Sequence, residues 1–175
     1  MPKTRAFAGG LLPVVPLLLM GLASPAQADA SYFQRFGGDF SGNGTVQREQ
    51  DSSPRRVSCS LTGSSADANR LRISGACRAA IVVRREIGAD IRYDPASDRF
   101  TGVYTGSSRG PAQLRNGRLR GDTLTLNLVY PQPVHGDRNA VMTIRNAGNG
   151  TFTLTVTDKV GGQDRTTSNV TLRRS

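Results

Sequence analysis

The sequence predicts an all-β protein: a single antiparallel up-and-down β-barrel of eight to ten strands, with a β-sandwich as the alternative. Apolar and polar residues alternate with a period of two after Phe40, and turn-forming residues recur about every ten to fifteen residues. No segment has apolar residues at the 3.6-residue spacing of a helix. The outer positions are rich in threonine and arginine, so one face of the sheet lies in solvent. Such a sheet buries its apolar face by closing on itself.

The N-terminal 28 residues have the three-part pattern of a secretory signal peptide. Lys3 and Arg5 supply positive charge, a proline-interrupted apolar run follows, and the tripeptide AQA provides the small residues that signal peptidase requires. We therefore expect residues 1–28 to be a signal peptide and residues 29–175 to be a single β-barrel domain, because about 147 residues suit one domain. No later apolar run is long enough to span a bilayer, so no transmembrane segment is expected in the mature chain.

Removing Lys3 and Arg5 from the 23 basic residues leaves 21 against 13 acidic residues, a net charge of +8. Of these 21, 20 are arginine, which indicates a GC-rich bacterial genome. Positive charge in a cell envelope favours anionic lipids or acidic polymers over nucleic acid, and no block of arginines resembles a nucleic-acid-binding arm. We expect a periplasmic protein, with secretion as the alternative, whose charge is dispersed over a solvated surface.

Cys59 and Cys77 are the only cysteines, and two cysteines in an oxidising compartment most often form one disulfide. Both fall on inward positions of predicted strands, RVSCSLT and NRLRISGAC. A tight hairpin turn at GSSAD would place Cys59 opposite about Leu71, several residues short of Cys77. The sequence therefore predicts the disulfide together with either a longer connection centred near Ala68 or a strand corner between the two cysteines, and argues against the tight turn.

The remaining strands are predicted by the same alternation, in the segments EIGADIRYD, DTLTLNLVY, RNAVMTIR, TFTLTVTD and SNVTLRR. Gly- and Asp-rich stretches separate them. Gly121-Asp122 in RLRGDTLTL predicts a two-residue hairpin turn with Leu119 opposite Leu124, and this turn explains the RGD tripeptide better than cell adhesion does. Gly136-Asp137 predicts a second such turn, and the Asn-Gly pairs at 43–44 and 149–150 predict turns as well.

The predicted domain begins with FGGDFSGNGTV, in which Gly38-Asp39-Phe40 opens the first strand. This resembles the G-x-W opening of lipocalin-like (calycin-type) barrels, with phenylalanine at the tryptophan position. The resemblance implies that an arginine near the end of the last strand packs across this ring and closes the barrel by a cation–π contact. Arg173 or Arg174 is placed to do so, with Arg173 the first choice. The layout is also similar to small periplasmic barrels, including protease inhibitors, and to exported proteins of alphaproteobacteria.

Candidate functional residues are few. Four aromatic residues fall on inward faces, where they form either a ligand pocket in the barrel mouth or plain core: Tyr93, Phe100, Tyr104 and Tyr130. No catalytic residue is expected, because His135 lies in a Pro/Gly-rich turn and no G-x-S-x-G motif occurs. No metal site or cofactor is expected, because His135 is the only histidine and the calcium-loop spacing is absent.

The leading hypothesis is a non-enzymatic exported barrel that binds a small apolar or anionic ligand of the cell envelope. Inward aromatic residues and basic charge support it. The alternative is a protein-interaction module, an inhibitor or envelope-assembly partner, that acts through its Gly/Pro-rich hairpin loops. The third hypothesis is that the protein is a hydrolase.

Overall fold

The computed structural model describes residues 31–80 and 83–175. The predicted signal peptide, residues 1–28, and the predicted first residue of the domain, Asp29, lie outside these ranges. Within them the chain forms a helical turn over residues 31–34 followed by ten β-strands.

Each strand is antiparallel to its neighbours in the sequence, and β1 also pairs with β10, so that the sheet closes into a barrel. The prediction of an up-and-down barrel is confirmed, at the upper limit of eight to ten strands, and the sandwich alternative is wrong. The strands are β1 (Gly38–Val46), β2 (Arg55–Asp67), β3 (Arg70–Ala79), β4 (Val83–Asp94), β5 (Arg99–Tyr104), β6 (Ala112–Arg120), β7 (Thr123–Val134), β8 (Asp137–Asn146), β9 (Thr151–Val160) and β10 (Gln163–Arg174).

Alternate side chains of each strand point into the barrel and form one core. In β7, Leu124, Leu126 and Leu128 are buried, whereas Thr125 and Asn127 between them are exposed. The period of two arises because successive residues of a strand face opposite sides of the sheet. Each fully buried leucine of this kind stabilises the fold by about 1.5–3 kcal/mol relative to an exposed one.

The hairpin between β6 and β7 has the predicted two-residue turn. Arg120 pairs with Thr123 and Leu119 pairs with Leu124. Gly121 has a φ of 61°, the left-handed conformation that the first central position of a type II′ turn requires. The turn therefore accounts for Gly121 and Asp122 of the RGD tripeptide.

The predicted turn at Gly136-Asp137 is displaced by one residue. The turn consists of His135 and Gly136, whose φ angles are 52° and 86°, and Val134 pairs with Asp137 across it. Two positive φ values are typical of a type I′ turn. Asp137 instead begins β8, where its carboxylate accepts a hydrogen bond from the backbone N–H of Asn139 at 3.0 Å.

Cys59 and Cys77 lie directly opposite each other on β2 and β3 and form a disulfide. The predicted bond is confirmed, and the connection is centred near Ala68 as predicted rather than at GSSAD, but it is a two-residue turn and not the longer connection that was expected. The two strands continue to Asp67 and Arg70 and turn at residues 68–69, with an irregularity in the pairing between Ser64 and Asp67.

Three aromatic side chains that precede β1 close one end of the barrel: Tyr32, Phe33 and Phe36, all fully buried. Phe36 packs edge-on against Tyr32 and Phe152, with 5.2 Å between ring centroids in each pair. Phe33 packs edge-on against Phe100 at 5.6 Å. We call this the closed end of the barrel, and the opposite end, where β1 ends and β2 begins, the open end.

Hydrogen bonds fasten the same segment to β8. The Tyr32 hydroxyl donates to the Ile144 carbonyl at 2.6 Å. The Arg35 guanidinium donates to the Asn146 carbonyl at 2.8 Å, and the Asn146 amide donates back to the Arg35 carbonyl at 3.2 Å. An isolated helical turn of this length is not stable in water, so these contacts hold it in place.

The seam between β1 and β10 depends on glycine. A Cβ atom would lie 2.0 Å from the Thr171 carbonyl oxygen at Gly42 and 2.1 Å from the Asn169 carbonyl oxygen at Gly44. Only glycine permits this approach of the two backbones. The predicted turn at Asn43-Gly44 is therefore wrong, because the pair lies within β1. The other Asn-Gly pair, at 149–150, does lie between β8 and β9.

Candidate ligand-binding cavity

A cavity of about 540 Å³ lies inside the barrel at its open end. Its volume is within the range of about 300–1,000 Å³ that is typical of small-molecule sites. Between Phe40 and Val46, β1 places no side chain in the interior, because its two inward positions are Gly42 and Gly44. The apolar wall is formed by Val46, Val57, Leu61, Ile87, Leu154, Val170 and Leu172.

Five arginines line one side of the mouth of this cavity: Arg48, Arg55, Arg56, Arg84 and Arg85. By alternation, Arg55 and Arg85 occupy the inward positions next to Val57 and Ile87, where β2 and β4 reach the open end. The Arg85 guanidinium donates a hydrogen bond to the Ser107 carbonyl in the β5–β6 connection. The alternation that lines the wall with apolar side chains therefore ends in an arginine on each of these two strands.

Asp51 is the one carboxylate among the described residues that line the cavity. Its side chain is buried and accepts hydrogen bonds from the Nη2 of Arg48 at 2.9 Å and the Nε of Arg55 at 2.8 Å. The Arg48 guanidinium holds the pKa of this carboxyl well below its usual range, and burial opposes the shift. Asp51 is therefore ionised at neutral pH and orders two arginines, while the mouth keeps a net positive charge.

Tyr104 places a polar hydroxyl group within the otherwise apolar wall of the cavity. It points inward from the end of β5, is 8% exposed, and lies against Gly106. Its hydroxyl makes no hydrogen bond to any residue that the structure describes. Burial raises the pKa of Tyr104 to about 12, with the charge of Arg85 opposing the shift. The hydroxyl thus stays protonated and is free to donate a hydrogen bond to a molecule in the cavity.

The other three aromatic residues predicted to bind a ligand lie elsewhere in the interior. Tyr93 and Phe100 pack together at the closed end, with 4.8 Å between ring centroids, and Phe100 also contacts Phe33. Tyr130 is buried beside Asp158. The structure therefore does not bring the four residues into one pocket, and Tyr104 is the member that lines the cavity.

Tyr130 belongs to a buried polar cluster. Its hydroxyl donates to Oδ1 of Asp158 at 2.8 Å, and the Thr167 hydroxyl donates to Oδ2 of the same carboxylate. Burial, together with the nearby Asp158 charge, raises the pKa of Tyr130. Because both hydroxyl groups donate to the Asp158 carboxylate, the cluster offers no open donor to a ligand.

The barrel-closing contact is present, but with the neighbouring arginine. The Arg174 guanidinium lies 5.2 Å from the centroid of the Phe40 ring, whereas Arg173 pairs with Ser41 and is exposed. Arg174 also donates to the Gly37 carbonyl, immediately before Gly38. Successive residues of a strand face opposite sides, so the one-residue difference decides which arginine reaches the ring.

Sequence reasoning did not single out Arg55, Arg85 or Tyr32. The available signals were arginines that continue the inward alternation at strand ends, and the spacing of aromatic residues in SYFQRF. Among the described residues, no group of three or more His, Cys, Asp or Glu side chains is arranged to hold a metal ion.

Comparison with solved structures finds similarity to the crystal structure of Rv2717c from M. tuberculosis. The TM-score is 0.61 at 14% sequence identity, and the match covers 87% of this chain and 98% of that chain. At this identity the likeness shows a shared barrel fold. No family model matches the chain, and no curated protein matches its sequence.

In the part of the chain that the structure describes, no helix is long and apolar enough to cross a bilayer.

Proposed function

We propose that the barrel binds a small amphiphilic molecule, with its apolar body in the cavity and an anionic group at the mouth. The observation that carries the proposal is the combination, in one cavity, of an apolar wall, an unpaired Tyr104 hydroxyl and the inward-facing Arg85. Arginine forms strong charge-assisted hydrogen bonds to carboxylate, sulfonate or phosphate oxygens. The binding is proposed to be non-enzymatic.

We place this activity in the cell envelope, in the periplasm or outside the cell. The disulfide between Cys59 and Cys77 supports an oxidising compartment. The contact between Phe40 and Arg174 supports a lipocalin-like closure of the barrel, which the opening Gly38-Asp39-Phe40 also favours.

Titration with two fluorescent probes tests the proposal: 8-anilinonaphthalene-1-sulfonate, which is anionic, and N-phenyl-1-naphthylamine, which is neutral. Val170→Trp fills the cavity, so it should abolish binding of both. The matched control is Val141→Trp, which adds the same ring to the outer face of β8, where Val141 is 40% exposed. This variant should bind both probes as the wild type does.

Arg85→Gln separates charge from apolar contact. Because a hydrogen bond to a charged group contributes about 1.5–3 kcal/mol, the anionic probe should bind about 10-fold or more weakly, while the neutral probe is unaffected. Native mass spectrometry of protein purified from its own cell envelope should show a bound small molecule. The proposal fails if Val170→Trp and the wild type bind both probes equally.

A further inference from the structure

Five arginines from three adjacent strands gather in one sector of the open end, and we call this group the basic rim: Arg55, Arg56, Arg78, Arg84 and Arg85. They come from separate parts of the sequence but lie where β2, β3 and β4 reach the same end of the barrel. In the sheet, Arg78 pairs with Ser58 on one side and with Arg84 on the other. Arginines that are dispersed along the sequence are therefore brought together by the strand register.

Carboxylates neutralise only part of the basic rim. Arg55 pairs with Asp51 at 2.8 Å, and Arg84 pairs with Glu86 at 2.9 Å. Arg56 and Arg78 make neither an ion pair nor a side-chain hydrogen bond with any described residue, and both side chains are exposed.

Elsewhere at the open end, the cations are balanced in number by acids: Arg109, Arg138, Lys159 and Arg165 stand against Glu49, Asp137, Asp158 and Asp164, although among the described residues only two of these cations form ion pairs. Lys159 pairs with Asp164 at 2.7 Å, and Arg109 pairs with Glu49 at 2.5 Å. The excess of positive charge is thus a property of one sector of the rim.

The surface between Arg56 and Arg78 is a shallow depression with a polar floor. Asn43, Thr45 and Ser58 line it, and the Ser58 hydroxyl donates to the Asn43 side-chain oxygen at 2.8 Å. Two guanidinium groups above hydroxyl and amide groups suit a phosphate, because the planar guanidinium matches phosphate oxygens in a bidentate manner.

We propose that the basic rim docks the barrel, mouth first, on a bilayer surface that contains anionic phospholipid. Arg56 and Arg78 contact lipid phosphates, and the mouth of the apolar cavity then faces the bilayer. A membrane is favoured over an acidic protein because the rim lies beside the entrance of an apolar cavity. A nucleic-acid site would pair its arginines with aromatic side chains for base stacking, and the described residues of the depression include none. Docking does not depend on the proposed ligand, because it is measured on ligand-free protein.

Co-sedimentation with vesicles tests this inference. Wild-type protein should bind vesicles of equal parts phosphatidylcholine and phosphatidylglycerol, and should not bind vesicles of phosphatidylcholine alone. Each basic residue at such a surface contributes about fivefold in affinity, so Arg56→Gln with Arg78→Gln should weaken binding about 25-fold. The expected affinity also falls as salt concentration rises.

The matched control is Arg115→Gln with Arg120→Gln. These two exposed arginines of β6 also lack an ion pair among the described residues, and they lie away from the mouth. The control removes the same net charge but leaves the basic rim intact. It should therefore weaken binding less than about threefold. Equal loss in both double variants would show that net charge alone acts, and it would overturn the proposal.

Three further results test the inference and separate it from the cavity proposal. Absence of wild-type binding to the anionic vesicles would overturn the inference. Binding to polyglutamate that the rim variant loses, without vesicle binding, would assign the rim to an acidic protein instead. Val170→Trp should still bind vesicles, so the loss of probe binding in that variant separates failure of the cavity proposal from failure of this one.

Discussion

Replacing Phe36 with alanine should open the closed end of the barrel. The ring is fully buried and packs edge-on against Tyr32 and Phe152, both at 5.2 Å between centroids. Truncation of a buried phenylalanine to alanine costs about 3–5 kcal/mol, and this includes the loss of the edge-on ring contacts. For a domain of this size, 1 kcal/mol corresponds to about 3 °C, so the melting temperature should fall by about 10–15 °C.

Thermal unfolding followed by circular dichroism measures this change, with Phe36→Leu as the conservative control. Leucine keeps an apolar side chain but loses the ring edges, so it should cost less than about 1.5 kcal/mol. The alanine variant should also bind 8-anilinonaphthalene-1-sulfonate at the newly exposed closed end, in the background of Val170→Trp. A cost below about 1 kcal/mol for Phe36→Ala would refute the conclusion that this segment is packed on the barrel in solution.

Three more predictions concern other parts of the barrel. Replacing Cys59 and Cys77 with alanine should lower stability by about 3 kcal/mol in calorimetry, because the bond closes a loop with a sequence separation of 18; an unchanged stability would show that the native thiols are reduced. The lowered pKa of Asp51 means that its stabilisation is complete above about pH 4, the unfolded value, and is lost as pH falls through the folded value. Asp51→Asn should thus melt below the wild type at about pH 6, and the two curves should converge in acid; a constant gap would contradict this assignment. Arg174→Met should cost about 1 kcal/mol in urea unfolding, because it removes the contact with the Phe40 ring, whereas Arg173→Met should be neutral, and the reverse order would show that Arg173 closes the barrel.

The barrel was predictable because its signals are local. The alternation in β7 and β9 and the turn at Gly121-Asp122 depend on residues close together in the sequence, and the structure retains them. The Cys59–Cys77 pairing was predictable because both residues share the inward parity. Two turn predictions failed because the same residue types serve other purposes: Gly44 allows β1 to approach β10, and Asp137 accepts a hydrogen bond at the start of β8.

The candidate site was less predictable because it depends on where each residue lies along the barrel axis and which residues lie beside it on neighbouring strands. Inward parity places Tyr93, Tyr104 and Tyr130 inside, but it does not say which end of the barrel each residue occupies. The end is set by the position along the strand and by the stagger between strands, which sequence alternation does not encode. The same holds for Arg56 and Arg78, which are far apart in the sequence and become neighbours through the register of β2 and β3.

The order of the strands has a consequence for how the chain folds. Nine of the ten strand pairings join consecutive strands, and only the seam of β1 with β10 joins distant ones, with Phe40 opposite Arg174 across 134 residues. Loop-closure entropy makes this contact about 2 kcal/mol less favourable to form than one across a ten-residue loop. We therefore expect hairpins to form early and the seam last, so that β1 and β10 are transiently unpaired edges. Gly42 and Gly44 then permit the final pairing of β1 with β10, which removes both edges from solution.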